Sequence, residues 1–411
     1  VTGFFLSDFP ATGPPARRHD LGMKRIAVLT TSRADFGHLE WPLRRLREHS
    51  ELEPILIVAG AHLSPEFGET LREIESAGFG ADERIECLLS SDSDVGMAKT
   101  IGVALLSLAD VLGRLRPDLL LLIADRYEML APAAAALALR IPIAHIEGGE
   151  VSTGAIDDAV RNALTKLSHL HFTPTGEARR RVLALGEESW RVHRTGAPSL
   201  DHLVNGRLPD VDALARELGV RPGRETTVDA VHPVTLDEDT TAEADALFEA
   251  LADRADLVLC FPNADAGSRR LIRRAQTLCD ARSDARLYTN LAPPLYWALL
   301  REAGALVGNS SSGIMETGSL ALPTVNVGRR QAGRTRGPQV IDAPATPAAI
   351  RAALDRALEQ SFRAGLAGMK NPYGDGRAGE RIAAALAAAP DRARLLDKRP
   401  LPLDGLAFRH D

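Results

Sequence analysis

The sequence predicts an α/β protein made of two tandem doubly wound domains facing each other across a cleft. Three observations predict it. From Met23 onward, short apolar runs alternate with longer amphipathic ones, the signature of βα units on a parallel sheet. That series breaks once, near Asp201–Pro209, where the polar, turn-rich DHLVNGRLPD marks a boundary, and then resumes. A length of 411 residues suits two or three domains.

In the first series the buried strands are expected at Lys24–Thr30, Pro54–Ala59, Leu119–Ala124, Ile141–Ile146 and Leu170–Thr173. Helical patterns fall at Leu39–His49, Glu66–Ala77 and Met97–Leu115. The second series reads as strands at Thr227–Val231, Leu257–Phe261, Arg286–Thr289, Ala305–Gly308 and Thr324–Val327. Domains are therefore expected over 23–203 and 204–370. The turn cluster NPYGDG (Asn371–Gly376) then leads into an Ala-rich helix at Glu380–Ala389, and residues 371–390 are expected to brace the first domain, with 391–411 as a tail. Residues 1–22 look detached and read as a disordered extension ahead of Met23. They lack the basic n-region and apolar run of a secretory signal.

Apolar residues are 45% and charged residues 25%, ordinary for a globular chain. Acidic and basic residues are interleaved, with a net charge of −6, so no nucleic-acid footprint or polybasic membrane patch stands out. The longest uninterrupted apolar stretch, near 129–139, falls short of the roughly 18 residues that span a bilayer. Cys87, Cys260 and Cys279 are too scattered for a disulfide framework or a C-x-x-C metal site. A reducing, cytoplasmic setting and no metal are the simplest expectation.

Ligands of open α/β sheets sit beyond the C-terminal strand ends, so residues just after strands carry the functional reading. In GNSSSGIME (Gly308–Glu316) a strand ends at Gly308, serines make the turn and a helix begins near Gly313. Free N–H groups, Ser310 and Ser311 there suit a phosphate or diphosphate. Simple N-capping by Ser312 is the plainer alternative. Glu316, one turn on, is placed to accept ribose hydroxyls. The loop NVGRRQAGR offers Arg329, Arg330 and Arg334 as anion grips.

In the first domain, TSRADFGHL puts Arg33 and Asp35 at a strand-to-helix turn, facing the cleft or pairing with each other. It has neither a G-x-G-x-x-G fingerprint nor a Walker pattern. LLLLIADRYE places Asp125, Arg126 and Glu128 after an apolar strand. IPIAHIEGGE ends with His145 and Glu147, then Gly148 and Gly149, which permit close backbone approach. GAIDDAVRNALTKLSHL is an amphipathic helix with Asp157 and Arg161 four apart. Asp125, Glu147 and Asp157 thus gather beyond the ends of one sheet. Acids clustered beside a diphosphate disfavour mere binding and point to proton transfer. VHPVT sets His232 at the first strand end of the second domain, and FPNADAGS offers Asn263 and Asp265.

The set SRAD, DRYE, HIEGGE, GAIDD-x-x-R, HPVT, FPN-x-D-x-G, GNSSSG-x-x-E, GRRQ-x-GR and NPYGDG, in this order, resembles the hydrolysing UDP-N-acetylglucosamine 2-epimerases of bacterial sialic-acid pathways, relatives of the epimerase half of the animal bifunctional enzyme. The resemblance runs from about Met23 to Ala388. It implies the glycosyltransferase-B fold of two Rossmann-like domains, and conversion of UDP-N-acetylglucosamine and water to N-acetylmannosamine and UDP through a 2-acetamidoglucal, with no cofactor. It implies Asp125, Glu147 and Asp157 as acid/base carboxylates, and His232 as a fourth catalytic group, near the diphosphate or protonating it. Arg33, Arg126, Asn263, Ser310, Ser311, Glu316 and Arg330 would hold UDP, with Asp35, His145, Arg161 and Arg334 as further cleft groups. It also implies a homodimer or homotetramer.

A close branch acts on UDP-N,N′-diacetylbacillosamine on the way to legionaminic acid, and these motifs do not separate the two. A non-hydrolysing epimerase is disfavoured by the HIEGGE and GAIDD wording, and a glycosyltransferase by the three acids. A nucleotide-sugar-binding regulator with a retired site would have lost carboxylates that are all present here. The chain departs from the family at Ala124, where glycine is usual and an added methyl would narrow the pocket. It departs again in RETTVDA, more polar than the usual strand before HPVT.

Overall fold

The computed structural model describes residues 22–399, apart from 68–69, 92, 153–155, 235–238, 261–267 and 290. The expected extension at 1–22 therefore lies outside the described residues but for Gly22.

Two parallel sheets form the frame. The first holds β1 (Lys24–Thr30), β2 (Leu52–Ala59), β3 (Glu83–Ile85), β4 (Leu119–Ile123), β5 (Ile143–Ile146), β6 (Leu170–Thr173) and β7 (Val192–Arg194), in spatial order 3-2-1-4-5-6-7. The second holds β8 (Thr227–Ala230), β9 (Leu257–Cys260), β10 (Ala285–Tyr288), β11 (Ala305–Gly308), β12 (Thr324–Val327) and β13 (Val340–Ala343), in order 10-9-8-11-12-13. The strand order reverses between β1 and β4 and again between β8 and β11. A crevice opens at such a switch point, beyond the strand C-termini.

Helices α1 (Arg33–Glu48), α2 (Leu71–Ser76), α3 (Asp94–Leu115), α4 (Leu130–Leu139) and α5 (Asp157–Leu167) follow the first five strands of the first sheet in turn. The central strands are fully buried; every residue of β4 is within 1% of complete burial, so hydrophobic transfer at both faces holds the sheet. Three strands escaped the sequence reading, namely β3, β7 and β13. All lie at sheet edges and are three or four residues long, so no continuous apolar run marks them. Helix α1 starts six residues earlier than expected. Ser32 and Asp35 form a reciprocal capping box there, and the added turn presents polar residues to the cleft. Helix α2 is shorter than expected, because the stretch before it includes the 3-10 turn Pro65–Phe67.

After the second sheet the chain returns. Helix Ala378–Ala387 buries Ile382, Ala383 and Leu386 in the core of the first sheet, against α1. Its N-terminus is capped from the first half of the chain: Asp201 accepts from the amides of Ala378 at 2.9 Å and Gly379 at 2.7 Å. One helix, α3, averages a hydropathy of 1.7 over 18 residues, long and apolar enough to span a bilayer by that measure, although no uninterrupted run in it reaches that length. It packs along α4, and only 28% of that window is buried.

Candidate active site

A cleft of about 260 Å³ lies where the C-terminal ends of the two sheets meet. Its first-domain wall carries Arg33 and His38 from α1, Asp125 and Arg126 after β4, Glu147 after β5, and Asp157 at the start of α5. Its second-domain wall carries His232 after β8, Ser310, Ser311 and Glu316 after β11, and Arg330 and Arg334 after β12. The three predicted carboxylates thus share one cavity with the serine turn and the arginine loop. Asn263 lies outside the described residues.

Each group is positioned by identifiable forces. Glu147 is buried and its backbone takes φ +68, a left-handed conformation that costs a side-chain-bearing residue free energy and clusters at functional sites. Burial opposes its ionisation, yet His38 and Arg334 outweigh burial and hold the carboxyl below its ordinary value. His38 Nδ1 sits 2.8 Å from Glu147 Oε1. Burial works against charging this imidazole too, but the carboxylate prevails and the pKa is pushed up to about 9. The pair is an imidazolium and a carboxylate at neutral pH. The sequence reading missed His38, which stands inside the quoted SRADFGHL but looks like an ordinary helix residue until α1 is seen to begin at Arg33.

Asp125 is gripped by Arg161, a wholly buried side chain that also donates to Glu150 O at 3.0 Å and Ser152 Oγ at 3.1 Å. Arg161 is therefore a support behind Asp125, not a cleft-lining group. Two more expected cleft groups are corrected. Asp35 lines the wall, but its Oδ2 is taken by Thr31 N at 3.0 Å, Thr31 Oγ1 at 2.6 Å and Ser32 N at 3.1 Å, so it caps α1 and does not pair with Arg33. His145 is fully buried, with Nε2 2.7 Å from Ala124 O. Burial pushes its pKa down to about 4, and the neutral ring pins the turn ahead of Asp125. Ala124 itself has φ +58. The departure from glycine there is thus a backbone matter before it is one of pocket width.

Gly149, in HIEGGE, also has a local reason, since at φ +81 an added Cβ would lie 2.2 Å from Ala178 O. Arg126 forms a buried ion pair with Glu128 at 2.8 Å, where a surface pair was the alternative.

In the second domain Asn309, another residue the sequence reading passed over, is a hub. It accepts from His232 N at 2.7 Å and donates to His232 O at 2.9 Å, while its own carbonyl receives Gln331 Nε2 at 2.8 Å and Arg330 Nη1 at 3.2 Å. It ties the histidine strand end to the arginine loop. The helix after the serine turn is one turn only, Ser312–Met315, with Ser311 at its cap position and no side-chain cap bond, so N-capping by Ser312 is not observed. Burial raises the pKa of Glu316, against the pull of His38 and a 2.5 Å hydrogen bond from Ser199 Oγ. Cys260 also lines the cleft; burial pushes its thiol up to about 12, so it stays protonated at neutral pH. The domains are linked across the cleft by Arg33 to Leu291 O at 2.6 Å, and by Arg334 to Val151 O at 2.8 Å and Ser152 Oγ at 3.1 Å. Among the described residues, no cluster of three or more His, Cys, Asp or Glu is arranged to hold a metal ion.

Comparison with known proteins gives four findings. Residues 44–387 match the family model described as UDP-N-acetylglucosamine 2-epimerase. The chain is 34% identical over 378 residues to the UDP-N,N′-diacetylbacillosamine 2-epimerase (hydrolyzing) of Legionella pneumophila, covering 92% of this chain and 99% of that one. It is also 34% identical to the GDP/UDP-N,N′-diacetylbacillosamine 2-epimerase (hydrolyzing) of Campylobacter jejuni, over 78% of this chain and 85% of that one. In fold it is similar to the crystal structure of Methanocaldococcus jannaschii UDP-GlcNAc 2-epimerase in complex with UDP-GlcNAc and UDP, with a TM-score of 0.72, 18% identity, and 89% and 100% of the two chains covered.

Proposed function

The chain belongs to the UDP-N-acetylglucosamine 2-epimerase family and is an enzyme of its hydrolysing type, and from that premise we propose how its cleft works on a UDP-linked 2-acetamido sugar. A carboxylate removes the C2 proton while the C1–O bond breaks and its electron pair leaves with UDP, giving a 2-acetamidoglucal. Water then adds hydroxyl to C1, and a proton returns to C2 from the opposite face, so the products are UDP and a C2-inverted free sugar. Asp125, Glu147 and Asp157 divide the proton transfers. His232 sits near the diphosphate, and Arg33, Arg126, Asn263, Ser310, Ser311, Glu316 and Arg330 hold UDP, with Arg334 beside them.

The observation that carries this reading is the sorting of charge in one cavity. Three carboxylates lie on one wall, where protons would move and positive charge would build at C1. The hydroxyls of Ser310 and Ser311 and the guanidinium groups of Arg330 and Arg334 lie on the other, with Glu316, where the leaving group's charge would appear, while Arg33 and Arg126 stand on the carboxylates' own wall. His38 keeps Glu147 ionised and so ready to accept a proton. Of the two sugars, the family's name favours UDP-N-acetylglucosamine, and the names of both 34% identical relatives favour UDP-N,N′-diacetylbacillosamine.

Proton NMR of the protein with each nucleotide sugar in D2O tests the proposal. UDP together with a free, C2-inverted sugar deuterated at C2 is the expected result. No product from either would overturn it. Glu147→Gln should abolish turnover while leaving UDP binding intact, and unchanged turnover would remove Glu147 from the chemistry.

A further inference from the structure

The turn cluster NPYGDG (Asn371–Gly376) lies behind the cleft, and two of its side chains reach the supports of both walls. Asn371 Nδ2 donates to Met315 O at 2.7 Å and to Ser319 Oγ at 2.8 Å. These acceptors bracket Glu316, at the end of the single helical turn that follows the serines. Gly318 lies against the same amide, where a Cβ would come within 3.1 Å of Asn371 Cγ. Asn371 Oδ1 accepts from Tyr373 N at 2.9 Å, which fixes the turn on itself. Tyr373 serves the other wall. Its ring is wholly buried against Ala197, Leu200, Ile314 and Met315, and its backbone carbonyl accepts from Ala197 N at 2.8 Å. A buried tyrosine hydroxyl needs a partner, and this one reaches Glu150 Oε2 and Thr335 O, each at 3.2 Å. Glu150 is itself buried in the loop that follows Glu147. Its backbone carbonyl accepts from Arg161, the clamp on Asp125.

We propose that Asn371 and Tyr373 are positioning residues that register the two walls of the cleft through one turn. Asn371 sets the serine turn and Glu316 for the nucleotide. Tyr373 sets the loop after Glu147 and, through Glu150 and Arg161, the carboxylate of Asp125. Because the two side chains stand two residues apart and are bonded to each other, the spacing between nucleotide and proton-transferring groups is held from behind as well as by the contacts across the cleft. Such spacing decides rate, since a misplacement of about 1 Å can cost on the order of a hundredfold. The inference rests on the proton-transfer roles given above to Asp125 and Glu147.

Kinetics and UDP calorimetry on variants of the full chain test this, because the two residues should fail differently. Tyr373→Phe keeps the ring and removes only the hydroxyl. Its kcat should fall about tenfold while its UDP dissociation constant stays within about twofold. Asn371→Ala should do the reverse, with UDP bound about tenfold more weakly and kcat at saturating sugar changed less than about threefold. Ser319→Ala, a milder change at the same contact, should weaken UDP in the same direction. Tyr373→Phe combined with Glu150→Ala should be no slower than the slower single variant, since both cut one contact. Unchanged kcat in Tyr373→Phe, or additive losses in the double variant, would overturn the role of Tyr373. Losses of kcat and UDP affinity that move together in both variants, in step with the melting temperature, would make the turn a mere strap and overturn the proposal. A wild type that turns over neither sugar would refute the catalytic roles beneath the Tyr373 half, and the UDP isotherms would still decide Asn371.

Discussion

His38 Nδ1 lies 2.8 Å from Glu147 Oε1, so helix α1 holds the carboxylate that follows β5. Glu147 adopts left-handed backbone there, a conformation worth about 1–3 kcal/mol of strain. The ion pair helps to hold it in place.

The pair gives a pH signature. The His38 pKa is raised, so its contribution to stability is full below about 6.5 and is lost as pH rises through about 9. The Glu147 pKa is lowered, so its contribution is present above the ordinary carboxylate value and is lost as pH falls through the lowered one. His38→Gln should therefore destabilise the protein most between about pH 5 and 6.5, by about 1–3 kcal/mol, and hardly at all above pH 9. Thermal melts across that range check the difference, and an equal loss at every pH would contradict it. Turnover by His38→Gln should also decline toward lower pH, because Glu147 then protonates more readily.

Ala124 sits at φ +58 immediately before Asp125. Glycine meets no steric cost there, so Ala124→Gly should stabilise the fold by about 1 kcal/mol, a few degrees in Tm. Urea unfolding of the two proteins decides it. A less stable variant would mean that the methyl packs better than its backbone strain costs.

Asp229, on the central strand β8, is buried with no partner for its Oδ1 among the described residues, and burial alone pushes its pKa up to about 8. The unfolded chain ionises this group near its ordinary value, so the destabilisation grows as pH rises from about 4 to 8 and is greatest above that. Asp229→Asn should therefore raise Tm more at pH 8 than at pH 5, by on the order of 3 kcal/mol of stability at the higher pH. Within the polar segment noted before HPVT, Asp229 is thus a stability defect in a buried strand. A Tm gain that did not grow with pH would rule out the ionisation argument.

Arg334 fastens the arginine loop to Val151 and Ser152 of the first domain. Arg334→Ala removes both bonds, worth about 1 kcal/mol each. UDP affinity by calorimetry should fall at least tenfold, and small-angle scattering should show a more open molecule. Unaltered scattering with weaker binding would assign Arg334 to the ligand alone.

Much of the site was legible because chemistry in a doubly wound sheet follows the ends of apolar strands. Asp125, Glu147, His232 and Ser310 all stand just past such runs, so the strand pattern located them. His38 and Asn309 were not legible. The first lies a turn and a half into a helix, and the second reads as part of a serine-rich turn. Their roles come from atoms more than 70 residues away in sequence. Asp35, His145 and Arg161 were legible as polar residues near strand ends, but not as the cap, the turn pin and the carboxylate clamp they are.

By itself, the order of residues determined the alternation of strands and helices, the two sheets and the wall from which each charged group would start. Apolar periodicity and burial are properties of short stretches, and those stretches are contiguous. Only the tertiary structure decided which side chains face the cleft and which are consumed in holding it. Hydrogen bonding and desolvation depend on neighbours in space. Asp35 and Glu147 are both carboxylates beside a strand end, yet one is saturated by its own backbone while the other meets an imidazole from another helix and remains at the cavity wall.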